Sequence, residues 1–239
     1  MLRLLVFLAA LLLGSPAFAV QTNLGTFSTY GTHTTSSFTL VNAVSANTLV
    51  YITIRDGNAN TNTNAVTDSK GNTYTRAISG QDCCDGANTL FIYASYISTG
   101  LTTSDTISYT SQTSTAATVS FSGTSATGFN VLDSAVNAVA NNYGTSYTIT
   151  GAATGAVSGE LNICFLDVNA TPSLATGWTN NPPNSPQVGT FPQTQVNSGT
   201  SALTCTGAQT TGGYGAVLVA FQPSGAVSDH NMLLLGIGR

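Results

Sequence analysis

Alternation with a period of two runs through almost every apolar segment of this chain, and that pattern narrows its fold more than any motif does. Val, Ile, Thr, Tyr and Phe, which suit a pleated and half-buried surface, supply most of the alternating positions. The segments are Leu49 to Ile54, Leu90 to Tyr96, Thr106 to Tyr109, Ala117 to Phe121, Phe129 to Leu132, Tyr147 to Ile149, Leu161 to Val168 and Ala216 to Phe221. Clusters of Gly, Asn, Ser or Pro separate them. Short strands spaced in this way predict an all-β, antiparallel sandwich or barrel rather than βαβ units. No segment carries a clear helical stripe; Ser134 to Ala140 comes nearest and reads equally as strand or loop.

The sharpest local signal is Val66-Thr-Asp-Ser-Lys-Gly-Asn-Thr-Tyr74. Asp68 and Ser69 open a turn, Gly71 can take a positive φ, and β formers follow, so a hairpin tip is expected here. The longest irregular stretch is Thr171 to Ser198, with five of the seven prolines. It reads as a functional loop or a cover over one end of the sandwich.

From this turn onward the strings VTDSKGNTYTRA, NTLFIYAS, ATVSFSGTSA, VLDSAV, ELNICFLDV and GYGAVLVAFQP follow one another. Together they resemble a widespread, largely uncharacterised group of secreted bacterial β-sandwich modules, over roughly residues 45 to 223. The resemblance rests on turn and core residues and implies an immunoglobulin-like or jelly-roll-like sandwich, not an activity. Four cysteines and a C-terminal extension depart from the group's pattern.

Residues 1–19 read as a cleaved secretory leader: Arg3, an apolar core from Leu4 to Leu13, and an Ala17-Phe18-Ala19 cleavage box. A single sandwich domain is expected over 20–223. Residues 224–239 then form a linker and an extra apolar strand, Met232 to Ile237, too short to span a bilayer. The expected location is secreted, extracellular or at the cell surface, with the periplasm as an alternative. Only 6% of the chain is Asp, Glu, Lys or Arg, against about 25% in ordinary globular proteins. With no Lys/Arg cluster to neutralise phosphates, nucleic acid and anionic lipid are not expected partners.

Four cysteines in an exported chain read as disulfides. Cys164 and Cys205 lie in apolar segments and could join two core strands. Cys83 and Cys84 could form a vicinal bridge or each reach a separate strand. No metal-ligand spacing accompanies them. Asp56, Asn58 and Asn60 begin an alternating run of oxygen-bearing side chains that partly fits a calcium loop, with Asp68 able to approach across the expected hairpin. The glycine and terminal acid of such a loop are replaced by Thr61 and Thr67, so an ordinary Asn-rich connection over Asn58 to Asn64 is the better account, and no cofactor is expected.

Catalytic residues are scarce. His33 and His230 lack a nucleophile elbow, and Glu160 and Asp167 stand at opposite ends of one expected strand, roughly 20 Å apart, too far for paired-carboxylate hydrolysis. No catalytic residue is assigned. Trp178, flanked by Asn180 and Asn181, could stack on a sugar with Tyr143 or Tyr214 as a second platform, although packing is the stronger account of a lone tryptophan. The expectation is therefore a secreted, non-catalytic protein for recognition of or adhesion to extracellular glycan or surface protein. The alternative is a structural subunit self-associating through its C-terminal strand; an extracellular hydrolase is a weaker third.

Overall fold

The structure, a computed structural model, describes residues 20–31, 35–57, 65–81, 88–110, 117–152, 158–168, 172–180 and 190–224. The leader, the segment 225–239, His33, Cys83, Cys84, Asn58, Asn60 and Asn181 lie outside the described residues. Strands account for all the regular structure among the described residues: β1 Gln21–Gly31, β2 Thr35–Thr39, β3 Thr48–Gly57, β4 Ala65–Asp68, β5 Thr75–Gln81, β6 Asn88–Ile97, β7 Thr106–Thr110, β8 Ala117–Ala126, β9 Phe129–Thr150, β10 Leu161–Val168, β11 Thr179–Asn180, β12 Thr190–Val196 and β13 Thr204–Pro223. Every strand pair is antiparallel. The chain is an all-β sandwich, as its periodicity predicts.

Three sheets stack in layers. A central sheet has the order β1-β8-β3-β6-β5; one neighbour is β11-β12-β10-β13-β9 and the other the small sheet β2-β7-β4. The period of two explains the stacking. On β3, Val50, Ile52 and Ile54 point into the core shared with the small sheet, while Leu49 and Tyr51 point into the core shared with β10 and β13. Strand β6 divides likewise, Phe91 and Tyr93 one way, Leu90 and Ile92 the other. Both strands are therefore almost wholly buried.

A bulge on β1 keeps that edge in step. The register shifts between Asn23 and Gly25, so Leu24 and Phe27, of opposite parity, both face the small sheet. Gly25 has φ 144°, and a Cβ there would meet the Phe38 ring. Only glycine fits this position.

Two expectations need correction. The turn after β4 is not a hairpin tip, because β4 pairs with β7 in the small sheet while β5 pairs with β6 in the central one. It is a corner that carries the chain from one layer to the next. Nor is Thr171 to Ser198 irregular throughout: β11 and β12 lie within it, and β12 pairs with β10 from Leu161 to Asp167. Ser134 to Ala140 belongs to β9, with the register shifting where Ala138 gives way to Asp133 opposite β13.

The outer face of the β10 sheet carries a third core, over which the first half of β13 and the end of β9 fold with residues 172–180. Cys164 on β10 and Cys205 on β13 are joined there by a disulfide, their Cα atoms 6.5 Å apart. Both are fully buried. The bridge closes a sequence separation of 41 residues, which the chain-entropy account values at about 4 kcal/mol. Replacing both cysteines by alanine should lower unfolding free energy by about that amount in a urea titration; an unchanged midpoint would contradict a role for the bridge in holding this layer.

Candidate functional site

The turn motif supplies the corner's bonds from its own side chains. Asp68 Oδ1 accepts the backbone N–H groups of Lys70 (2.9 Å) and Asn72 (3.1 Å), and its Oδ2 accepts Asn72 Nδ2 (2.9 Å) and the Tyr74 hydroxyl (3.0 Å). Gly71, at φ 77°, closes the turn with its N–H on Asp68 O. Asn72 then reaches into the loop after β6: its Oδ1 accepts the N–H groups of Ser98 and Thr99, and its Nδ2 donates to Thr99 O. From that loop Asp105 answers, accepting Thr102 N–H (2.8 Å), the Thr102 hydroxyl (2.8 Å) and the Ser69 hydroxyl (2.7 Å), with Lys70 Nζ at 3.3 Å. The Thr102 N–H and then the Ser69 hydroxyl hold the Asp105 carboxyl well below the usual carboxylate range. Burial, and secondarily the Asp68 carboxylate, push the Tyr74 phenol well above its usual range.

Other acidic side chains are equally committed to structure. Asp56 is fully buried and accepts the Tyr109 hydroxyl at 2.7 Å. Asp167 accepts Arg55 Nε at 2.7 Å, joining β3 to β10 between the sheets. Glu160 is fully buried, and Asn197 bonds its N–H and carbonyl and approaches Oε2 at 3.4 Å. Of the residues in the partial calcium-loop pattern, Asp56 and Asp68 are described: Asp56 is buried in a core, and Asp68 accepts four donors. Among the described residues no cluster of three His, Cys, Asp or Glu is placed to hold a metal.

The residues proposed for sugar stacking do not form one platform. Trp178 is 4% exposed, packs in the core around the disulfide and donates from Nε1 to Thr204 O at 3.2 Å. Its ring is part of the lock that holds the β9–β13 ribbon down. Gln193 completes that lock, accepting Ala175 N–H and donating to the Tyr147 hydroxyl. Asn180 is half-buried on β11. Tyr143 is 62% exposed on β9; Thr204, the acceptor for Trp178, pairs with Thr150, which lies roughly 23 Å farther along that strand at the usual rise per residue.

Two cavities among the described residues offer little chemistry. A polar crevice of about 10 Å³ between the sheets, lined by Thr53, Ser120, Ser122 and Thr190 among others, has room for about one water molecule. An apolar crevice of about 140 Å³ opens at the other flank beside Leu49, Ala94, Tyr96, Leu132 and Phe221. It carries no acid or base.

One surface with a repeating chemical character is the outer face of β2-β7-β4. Inward positions of these strands are Ser36, Phe38, Ile107, Tyr109 and Val66; outward ones are Thr35, Ser37 and Thr39 on β2, Thr106, Ser108 and Thr110 on β7, and Ala65 and Thr67 on β4. The register sets them in rows: Thr35, Thr110 and Ala65; Ser37, Ser108 and Thr67; then Thr39 and Thr106. All eight are small, uncharged and exposed or half-exposed, and the Thr35 and Thr110 hydroxyl oxygens are 3.4 Å apart. Sequence reasoning did not single out this face. The signal was the threonine and serine at every second position of segments 35–39 and 106–110, which identifies the face only once the pairing is known.

Compared with protein-family models, curated proteins and solved structures, the chain matches none.

The corner generates a pH dependence that fixes how the small sheet is held. Because Asp105 has a depressed folded pKa, its contribution is complete above the unfolded value of about 4 and is lost as pH falls through the folded one. The melting temperature of the wild type should therefore drop on acidification below about pH 4 more steeply than that of Asp105→Asn. Parallel acid profiles by circular dichroism would rule out this role for Asp105.

Proposed function

We propose that this is a secreted, non-catalytic recognition or adhesion protein whose contact surface is the outer face of β2-β7-β4, and whose partner is an extended, uncharged, hydroxyl-rich extracellular surface such as glycan. The observation that carries this reading is the composition of that face: eight outward positions on three paired strands, all Thr, Ser or Ala. Such a face offers many weak hydrogen bonds and repels no neutral partner. It lacks a pocket and a proton-transfer group, so it suits holding rather than turnover. The nearby acids Asp68 and Asp105 are occupied by the corner that positions the sheet.

Retention on insoluble neutral polysaccharides tests the proposal. A lysine at the centre of the face must be desolvated without a partner on binding. Ser108→Lys should weaken retention by about tenfold or more, corresponding to 1.4 kcal/mol, while Tyr143→Ala leaves it unchanged. Wild-type passage through every glycan matrix, or equal retention of Ser108→Lys, would dismiss this face as the contact surface.

A further inference from the structure

We infer that residues 232–235, the run Met-Leu-Leu-Leu in the C-terminal segment, seat in the apolar crevice of the same chain beside Leu132 and Phe221 and close that flank of the sandwich. The inference is independent of the contact face on β2-β7-β4.

Strands β5 and β9 are the end strands of their sheets and meet on one flank. Part of that flank is already closed. Asn137 Nδ2 donates to Ala77 O at 3.2 Å, and Val139 and Val217 fill the space over Gly80, where a Cβ would collide with both. The contacts advance together along the two strands, Ala77 with Asn137 and then Gly80 with Val139. Toward their earlier residues the closure stops, and at Leu132 the sheets part around a crevice of about 140 Å³. Leu49 and Phe221, each 1% exposed, form its floor; Ala77, Ala94 and Leu132 are partly buried in its walls, and Tyr96, 45% exposed, stands at its mouth. None of its lining residues is charged. An apolar cavity of about 150 Å³ takes a benzene, so this one has room for a leucine side chain.

The described chain ends at the same place. Phe221 pairs with Leu132 and Pro223 with Phe129, and the Ser224 N–H donates to Gly128 O. The chain therefore leaves β13 three residues beyond the crevice floor, about 10 Å at the usual strand rise. Residues 225–239 lie outside the described residues, and seven of them, 225–231, separate Ser224 from Met232. An extended chain of that length spans at most about 25 Å, enough to return to the crevice and too little to reach the far end of the sandwich. The run it carries has four large aliphatic residues in succession, a length reached nowhere in 20–231. Apolar surface on both sides favours burial. A tether this short holds the run at an effective concentration in the millimolar range, above that of a second copy at micromolar concentration. Seated in its own crevice, the run is withheld from the association that an exposed apolar edge invites.

The test replaces Tyr96 in the full chain by the photo-crosslinking residue p-benzoylphenylalanine, irradiates a mixture of unlabelled and heavy-isotope-labelled chains, and maps the joined peptides by mass spectrometry. Capture of a peptide within 229–239 is expected, both halves carrying the same label. Leu233→Asp with Leu234→Asp, which alters only the tail, should lower that yield about tenfold or more, because a carboxylate resists the apolar site. The same photo-crosslinking residue in place of the exposed Tyr143, on the distant part of β9, should not capture the tail. In a chain that keeps Tyr96, the double variant should also speed amide exchange several-fold in segments 75–81 and 129–137. A tail never captured at Tyr96, captured equally at Tyr143, or captured equally in the double variant would overturn the inference, as would unchanged exchange. Joined peptides of mixed label at the random share would give the crevice to a second copy's tail and overturn it too.

Discussion

Burial of the central sheet on both faces is the constraint from which the other layers follow. A strand whose two faces are both covered must supply an apolar residue at nearly every step, and β3 does so from Thr48 to Ile54 before Arg55 and Asp56 arrive. Covering one face requires β10 and β13; covering the other requires the small sheet. A slip of one residue would exchange the two sets of side chains and leave each core with the wrong shapes. The bulge at Leu24 and Gly25 shows the same constraint at the edge, where an extra residue restores parity.

In such an interior, polar groups persist only with partners. Thr53 bonds Ser122 at 2.8 Å, Asp56 takes the Tyr109 hydroxyl, and Arg55 meets Asp167 across the gap between sheets. The chain has few charges, and the acids whose bonding is described sit in structural bonds rather than a cleft. Here they fix how one layer sits on the next.

The two outer sheets handle their second faces differently. Over β10 a disulfide, Trp178 and the Tyr147–Gln193 pair hold a ribbon and the 172–180 segment, converting an exposed face into a third core. Over β2-β7-β4 the outward side chains are short, neutral and largely exposed. The corner at Asp68, Asn72 and Asp105 ties this small sheet to the loop after β6 through side chain-to-backbone bonds.

The all-β class, the turn at Asp68 to Gly71 and the apolar strands β3, β6, β7, β8 and β10 were legible in the sequence, because alternation and local turn chemistry act over a few neighbouring residues; the more polar strands β1, β2, β4, β5, β11 and β12 were not, because they lack that apolar alternation. The core preference for Trp178 was legible too, from the rarity of a free tryptophan face. Which sheet each strand joins was not: the same turn that could close a hairpin instead turns a corner, and only the partners β7 and β6 decide between them. The threonine and serine rows share that origin. Each strand by itself determined which residues would alternate outward, but three strands distant in sequence had to pair before those residues became one face, and pairing depends on long-range burial that no local segment encodes.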